Sequence, residues 1–247
     1  MKDRKRGQQK HDESEPSQPF DESLDFEEVV EEGMLLITGI EQDKKEKRRY
    51  HLYMNGSDEP LTSVHEDLVI SYRLLKGRQI DPGELKQIAD KDNDHRAYIL
   101  GLTYLGARPR TEKEISRYLI RKGMEESAIA KALERLQGER LVDDVSYANQ
   151  FAAQRMRSQL KGRRLLQQEL EHRGISRETA KEASAGLDLD METETAIRAA
   201  KKKWPYIKGE VRDRKRKLMA FLLRRGFPGT VVKQAVKEAS RPGSDDE

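Results

Sequence analysis

Three stretches of this chain repeat one arrangement of apolar residues about a glycine, and this repetition restricts the fold more than any other feature. The stretches are EISRYLIRKGMEESAIAKAL (114–133), LLQQELEHRGISRETAKEAS (165–184) and LMAFLLRRGFPGTVVKQAV (218–236). Each has a glycine after a basic residue, at Gly123, Gly174 and Gly226, spaced by 51 and 52 residues. Eight residues before it stands Ile115, Leu166 or Leu218, and four before it Leu119, Leu170 or Leu222. One after it comes Met124, Ile175 or Phe227, and six after it Ile129, Ala180 or Val232. Apolar residues four apart share one helix face. A glycine at the helix end takes the left-handed conformation that stops the helix, and the apolar residue after it closes over the turn. A second helix then begins, with Glu125-Glu126 or Pro228 suited to its first turn. A further helix precedes each pair, over 95–105, about 144–160 and about 192–204. The unit is a three-helix module of about 50 residues, used three times.

The chain is therefore expected to be mainly all-α, with tandem three-helix modules in an elongated curved array behind a small N-terminal β-hairpin region. Only 35% of its 247 residues are apolar and 38% are charged, which suits thin modules better than one thick core. The expected organisation is a disordered acidic tail (1–33), a β-hairpin plus helices (34–91), modules over 92–142, 143–190 and 191–240, and a disordered tail (241–247). The hairpin is read from MLLITGI (34–40) and RRYHLYM (48–54), joined by the charged EQDKKEK and followed by a turn at Asn55-Gly56. Ser63 and Glu66 have capping-box spacing. They predict a helix whose apolar face is Leu68, Val69, Tyr72 and Leu75 and which Gly77 ends. Asp81-Pro82 marks the next helix start, with a break expected at Asp92–Asp94.

Several function classes find no support. There is no cysteine, hence no disulfide, cysteine-ligated zinc or cysteine nucleophile. No phosphate-binding glycine loop occurs, and the five histidines are scattered. Asp90, Asp92 and Asp94 imitate the start of a calcium loop, but His95 and Gly101 stand where glycine and glutamate are needed. Ser158 and Lys161 have serine–lysine spacing without companion motifs. The expectation is a protein that is not an enzyme and needs no cofactor and no metal. No apolar run is long enough for a membrane span, and the N-terminus has no signal-like apolar stretch. A cytoplasmic monomer with no membrane partner is expected.

The net charge of +3 conceals an asymmetry. Residues 1–33 carry 5 basic and 11 acidic groups, whereas residues 191–240 carry 14 basic and 5 acidic groups. The acidic tail is expected to compete in cis with the basic third module. Basic residues gather near module junctions. Arg108 and Arg110 precede Thr111, which opens a capping box with Glu114. Arg155, Arg157, Lys161, Arg163 and Arg164 follow the first helix of the second module. Lys201, Lys202, Lys203 and Lys208 flank Trp204-Pro205-Tyr206, and Arg212, Arg214, Lys215, Arg216 and Lys217 come next. For Arg121-Lys122 and Arg224-Arg225, a solvated helix end offsetting the helix dipole is the preferred reading. Between 201 and 217 nine basic residues face only Glu210 and Asp213. Such a density repels itself unless an anionic partner, DNA or an acidic protein surface, is near. Trp204 and Tyr206 could stack on bases, although Trp204 fits a core anchor equally well.

From Tyr98 to Ala239 the sequence resembles the RecX family. Tyr98, Leu102 and Leu105 precede RPRTEKEI (108–115), which is similar to the family's R-x-R-S/T-x-x-E-L segment. LVDDVSYANQF (141–151) is similar to its D-x-x-[FY]-A stretch, with Asp144, Tyr147 and Ala148 in the matching places. LKGRRLLQQELEHRGI (160–175) is similar to its K-G…L…[KR]-G-I segment, with one departure: Arg163 stands where the family often has proline. The region before residue 92 resembles the N-terminal extension of RecX proteins of Gram-positive type. The resemblance implies a RecA-regulating protein of recombination, DNA repair and the SOS response. Such a protein lies in the groove of the RecA–DNA filament and inhibits ATP hydrolysis and strand exchange. Of the basic residues named above, Arg108, Arg110, Arg155, Arg157, Lys161, Arg163, Arg164, Lys201, Lys202, Lys203, Lys208, Arg212, Arg214 and Arg216 are the candidate RecA- or DNA-binding set. The competing reading is a sequence-tolerant DNA-binding regulator built from helix-turn-helix-like modules. Against it, the three candidate recognition helices differ greatly in their polar residues. A hydrolase or nuclease lacks a metal-ligand cluster.

Overall fold

The computed structural model describes residues 33–241. The acidic tail and the C-terminal tail lie outside the described residues, apart from Gly33 and Arg241. Two compact units are present, one ending at Ile88 and the other beginning at Ala89. Among the described residues no helix is long and apolar enough to cross a membrane.

The N-terminal unit is built on an antiparallel sheet of β1 (Leu35–Gln42), β2 (Arg49–Met54), β3 (Thr62–His65) and β4 (Gln79–Ile80), ordered β3-β2-β1-β4. β1 and β2 are the expected hairpin, and Asn55 and Gly56 turn the chain with φ of 53° and 83°. The capping-box spacing at Ser63 is overridden. Ser63 lies in β3, where its hydroxyl accepts a hydrogen bond from Arg49 Nε at 3.0 Å. Pairing of β2 with β3 over four residues satisfies more backbone groups than one cap does. Helix α1 (Glu66–Ser71) is instead capped by His65, whose Nδ1 accepts from the Asp67 N–H. It ends at Ser71, before Gly77, and Leu75 is 62% exposed while Leu74 is buried. The core comprises Leu35, Ile37, Leu52, Met54, Val64, Leu74, Ile80, Leu85 and Ile88. Each such side chain contributes about 1.5–3 kcal/mol by leaving water.

Helix α2 (Pro82–Gly106) starts at Asp81-Pro82 as expected, with Asp81 Oδ1 accepting the Glu84 N–H at 3.0 Å. It continues unbroken through Asp92–Asp94. No glycine or proline interrupts it there, and Lys131 Nζ lies 2.7 Å from Asp94, giving that carboxylate a partner. The end of α2 joins α3 (Glu112–Arg121) and α4 (Glu126–Gly138) around the first module core. α5 (Asp144–Gln159), α6 (Arg163–His172) and α7 (Arg177–Ala185) form the second. α8 (Leu189–Lys203), a 3-10 turn (Trp204–Tyr206), α9 (Val211–Arg224) and α10 (Gly229–Ala239) form the third.

All twelve apolar positions of the sequence repeat are buried. Gly123, Gly174 and Gly226 have φ of 75°, 98° and 85°. After each, the apolar residue's N–H reaches back to the buried leucine: Met124 to Leu119, Ile175 to Leu170 and Phe227 to Leu222. The glycine N–H groups donate to Ile120, Glu171 and Leu223. This double hydrogen bond with an apolar contact is the Schellman helix stop, made three times.

Candidate functional site

The modules meet through one repeated contact. Thr111 caps α3: its hydroxyl accepts the Glu114 N–H at 3.1 Å and donates to the Arg173 carbonyl at 2.8 Å. Arg173 Nη1 also pairs with Glu114 Oε1 at 2.7 Å. At the next junction Gly162 caps α6, and its N–H donates to the Arg225 carbonyl at 2.8 Å. Arg173 and Arg225 are the residues that end α6 and α9. In both cases the start of one module's middle helix rests on the end of the next module's middle helix. A Cβ on Gly174 at the first junction would lie 2.4 Å from the Lys113 side chain, whereas at the second junction backbone meets backbone. A Cβ on Gly162 would lie 2.4 Å from Phe227 N, and one on Gly226 would lie 2.3 Å from Leu165 N.

Two ionisable groups consolidate these junctions. Glu192, fully buried, accepts from the Arg163 N–H at 2.8 Å and from Arg163 Nε at 2.6 Å. A proline at 163 would lack that N–H, so the departure from the family pattern comes with its own buried ion pair. Asp144 Oδ1 accepts the Glu112 N–H at 3.0 Å at the start of α3. Burial pushes the Asp144 carboxyl above the usual aspartate range, although that hydrogen bond acts to lower it. A folded-state pKa raised above the unfolded value favours the native state below the unfolded value. That contribution is lost as pH rises through the folded value. Asp144→Asn, which keeps an acceptor for Glu112, is therefore expected to match or exceed the parent in stability at pH 7. At pH 3.5 the advantage is expected to vanish, as read by urea unfolding. A large loss at pH 7 would show that the charge itself is needed.

Each junction opens onto a groove of positive character. The first is lined by Arg108, Pro109 and Arg110 before α3, by Arg140 and Leu141 before α5, and by Tyr147, Phe151 and Arg155 of α5. The second is lined by Gln159 and Leu160 at the end of α5, by Lys202, Lys203 and Tyr206, and by Phe221 of α9 and Arg225, which caps its end. The grooves are counterparts. Buried Ala148, Phe151, Ala152 and Met156 of the second module recur as Ala196, Ala199, Ala200 and Trp204 in the third. In that alignment Arg155 corresponds to Lys203.

The sequence-derived candidates divide accordingly. Arg108, Arg110 and Arg155 meet in the first groove, and Lys202 and Lys203 in the second. Arg110 stacks over Tyr104 at 4.0 Å and Arg155 over Phe151 at 5.0 Å. Arg155 and Arg157 lie within α5 rather than after it, and Arg157 Nε turns to Met191 Sδ at 3.4 Å. Three further candidates are held by partners beneath the surface. Lys161 pairs with Glu169, Arg163 with Glu192, and Arg214 covers the Trp204 ring at 4.0 Å while donating to its carbonyl. Arg164, Lys201, Lys208 and Arg212 are exposed, and Arg216 pairs with Asp213 at 3.2 Å on the surface. Trp204 is a core residue, whereas Tyr206 is 77% exposed. Burial pushes the Tyr147 hydroxyl pKa up, against the lowering influence of Arg173. The set drawn from the sequence omits Arg140 and Arg225, which reach the grooves only through the fold. Arg140 has a sequence signal, its place in the short link just before the LVDD motif.

Models of RecX domains match in chain order: the RecX N-terminal domain over residues 35–81 and the first, second and third three-helix domains over 97–136, 143–183 and 190–236. A protein of Halalkalibacterium halodurans named Regulatory protein RecX is 34% identical over 206 residues, 82% of this chain and 77% of that one. The chain belongs to the RecX family. A Regulatory protein RecX of Oceanobacillus iheyensis is 30% identical over 212 residues, covering 83% and 77% of the two chains. A crystal structure of regulatory protein RecX superposes with a TM-score of 0.66 at 28% identity, over 83% of this chain and all of the other. RecX from Lactobacillus salivarius, at 24% identity, gives a TM-score of 0.57 over 60% of this chain and shares the fold. The grooves therefore lie between the family's own three-helix domains.

Proposed function

We propose that this RecX-family chain binds the RecA–DNA filament, lies in its groove and inhibits ATP hydrolysis and strand exchange, acting by binding without catalysis of its own. The observation that supports this most is the pair of equivalent cationic grooves at successive junctions. A row of modules offers a repeating partner several weak polar contacts on one framework, and these sum. The proposed setting is the cytoplasm, with the chain as a monomer. In a RecA strand-exchange and DNA-dependent ATPase assay, a saturating amount of the chain is expected to suppress both activities. Unchanged ATPase at saturation sinks the reading.

DNA contact within this reading is assigned to the second groove. Tyr206 is an exposed aromatic face beside Lys202 and Lys203, the combination that holds single strands by stacking and charge. Lys202→Ala with Lys203→Ala is expected to weaken oligo-dT binding and reduce its salt-dependence slope by about 1.4, two phosphate contacts on a single strand. A parental slope would remove these lysines from the DNA contact.

A further inference from the structure

The first groove differs from the second in what it can hold. Its cations are all arginines, Arg108, Arg110, Arg140 and Arg155, whose planar forks match carboxylate pairs. It offers little free aromatic face for a base. Phe151 has Arg155 on it at 5.0 Å and Arg173 at 4.9 Å. Tyr104 stacks on Tyr118 at 4.2 Å and carries Arg110, and Tyr147 stacks on Phe151 at 5.8 Å. The groove also has an apolar rim, Pro109 and the 46% exposed Leu141, for which a phosphodiester chain has no complement. Asp143 lies in it too, holding the Ser146 N–H at 2.9 Å. An unbroken run of phosphates would meet that carboxylate everywhere it passed. A peptide can present carboxylates to the arginines and neutral groups or backbone N–H to Asp143.

We propose that the groove between the first and second modules takes an acidic peptide segment of a protein partner. Carboxylates sit on Arg108, Arg140 and Arg155, and an apolar side chain sits on Pro109 and Leu141. The inference rests on the filament-binding reading for the partner's identity, but the groove's selectivity is testable without RecA. At about 350 Å³ the groove accommodates a few side chains of an extended segment rather than a whole helix.

The test uses the full chain and two fluorescent probes at low salt, a peptide of alternating glutamate and leucine and an oligo-dT strand, read by anisotropy. Arg108→Glu with Arg140→Glu changes two exposed side chains and is expected to lower peptide affinity about tenfold or more while leaving oligo-dT affinity within about twofold. Arg155→Gln, a milder second variant, is expected to shift the peptide alone in the same direction. Lys202→Glu with Lys203→Glu is expected to do the reverse. Circular dichroism confirms that each variant is folded. Parental peptide affinity in the first two variants, or an oligo-dT loss equal to or larger than the peptide loss, overturns the proposal. The filament reading is judged apart, by RecA ATPase with the unaltered chain. Failure there leaves the peptide result standing.

Discussion

Gly226→Ala is expected to destabilise the chain by about 2–5 kcal/mol, far more than the same change at the equivalent Gly123. Both glycines hold the left-handed turn that stops a middle helix, at φ of 85° and 75°. An alanine in that conformation costs about 1–2 kcal/mol at either place. The difference lies in the surroundings. A Cβ on Gly123 meets nothing within 4 Å among the described residues, while one on Gly226 lies 2.3 Å from Leu165 N and 2.9 Å from Leu165 Cα. Backbone cannot rotate aside as a side-chain tip can, so the junction must open, adding about 1–3 kcal/mol. Urea unfolding of the two variants reads the difference. Limited proteolysis near residues 160–165 is expected to rise only in Gly226→Ala. Equal destabilisation would mean that the close approach of α6 to the α9 stop does not matter energetically.

The second large effect is expected at Glu192. Removing one partner of a buried ion pair leaves the other without its charge and costs about 3–5 kcal/mol. The Arg163 side chain keeps 26% of its exposure, so its guanidinium can recover some water and the lower end applies. Glu192→Ala is thus expected to lose about 3 kcal/mol, and Glu192→Gln, which still accepts from the Arg163 N–H, clearly less. Arg163 occupies the first position of α6, a place that proline suits well. Glu192→Leu combined with Arg163→Pro is accordingly expected to regain much of the loss, since an apolar replacement of a buried pair is often neutral or better. A double-mutant cycle gives the coupling. If the double variant were as unstable as the sum of its single changes, the pair and the family's proline would not be alternative solutions to one packing problem.

The module architecture was legible because local and tertiary demands coincide in it. Leu119 must be apolar for its helix face and for the core, and Gly123 must be glycine for the helix stop. The N-terminal unit was less legible. At Ser63 a plausible local cap lost to strand pairing that only the fold supplies, and β4 spans two residues, too few for a periodicity to show. The candidate site was read from runs of charge, but neighbours in sequence need not share a face. Arg155 lines the first groove and Arg157, two residues on, does not. The partners that occupy Lys161, Arg163 and Arg214 are Glu169, Glu192 and Trp204, and no count of charges marks those pairings. A binding test that replaces Arg163 would therefore confuse lost contact with lost stability, whereas Arg108 and Arg155 are better probes.

The repeated junction also gives the row of middle helices a sense of direction. At each joint the N–H-rich start of one helix meets the carbonyl-rich end of the next, so partial positive charge faces partial negative charge. The two ends of the row are consequently unlike. At Gly123, which ends α3, no described residue comes within 4 Å of where a Cβ would lie, and at Glu210 the start of α9 has no side-chain cap. Such a row resembles a keyed strip rather than a symmetric one. A partner that itself repeats with a fixed polarity can accept it in one orientation and refuses the other.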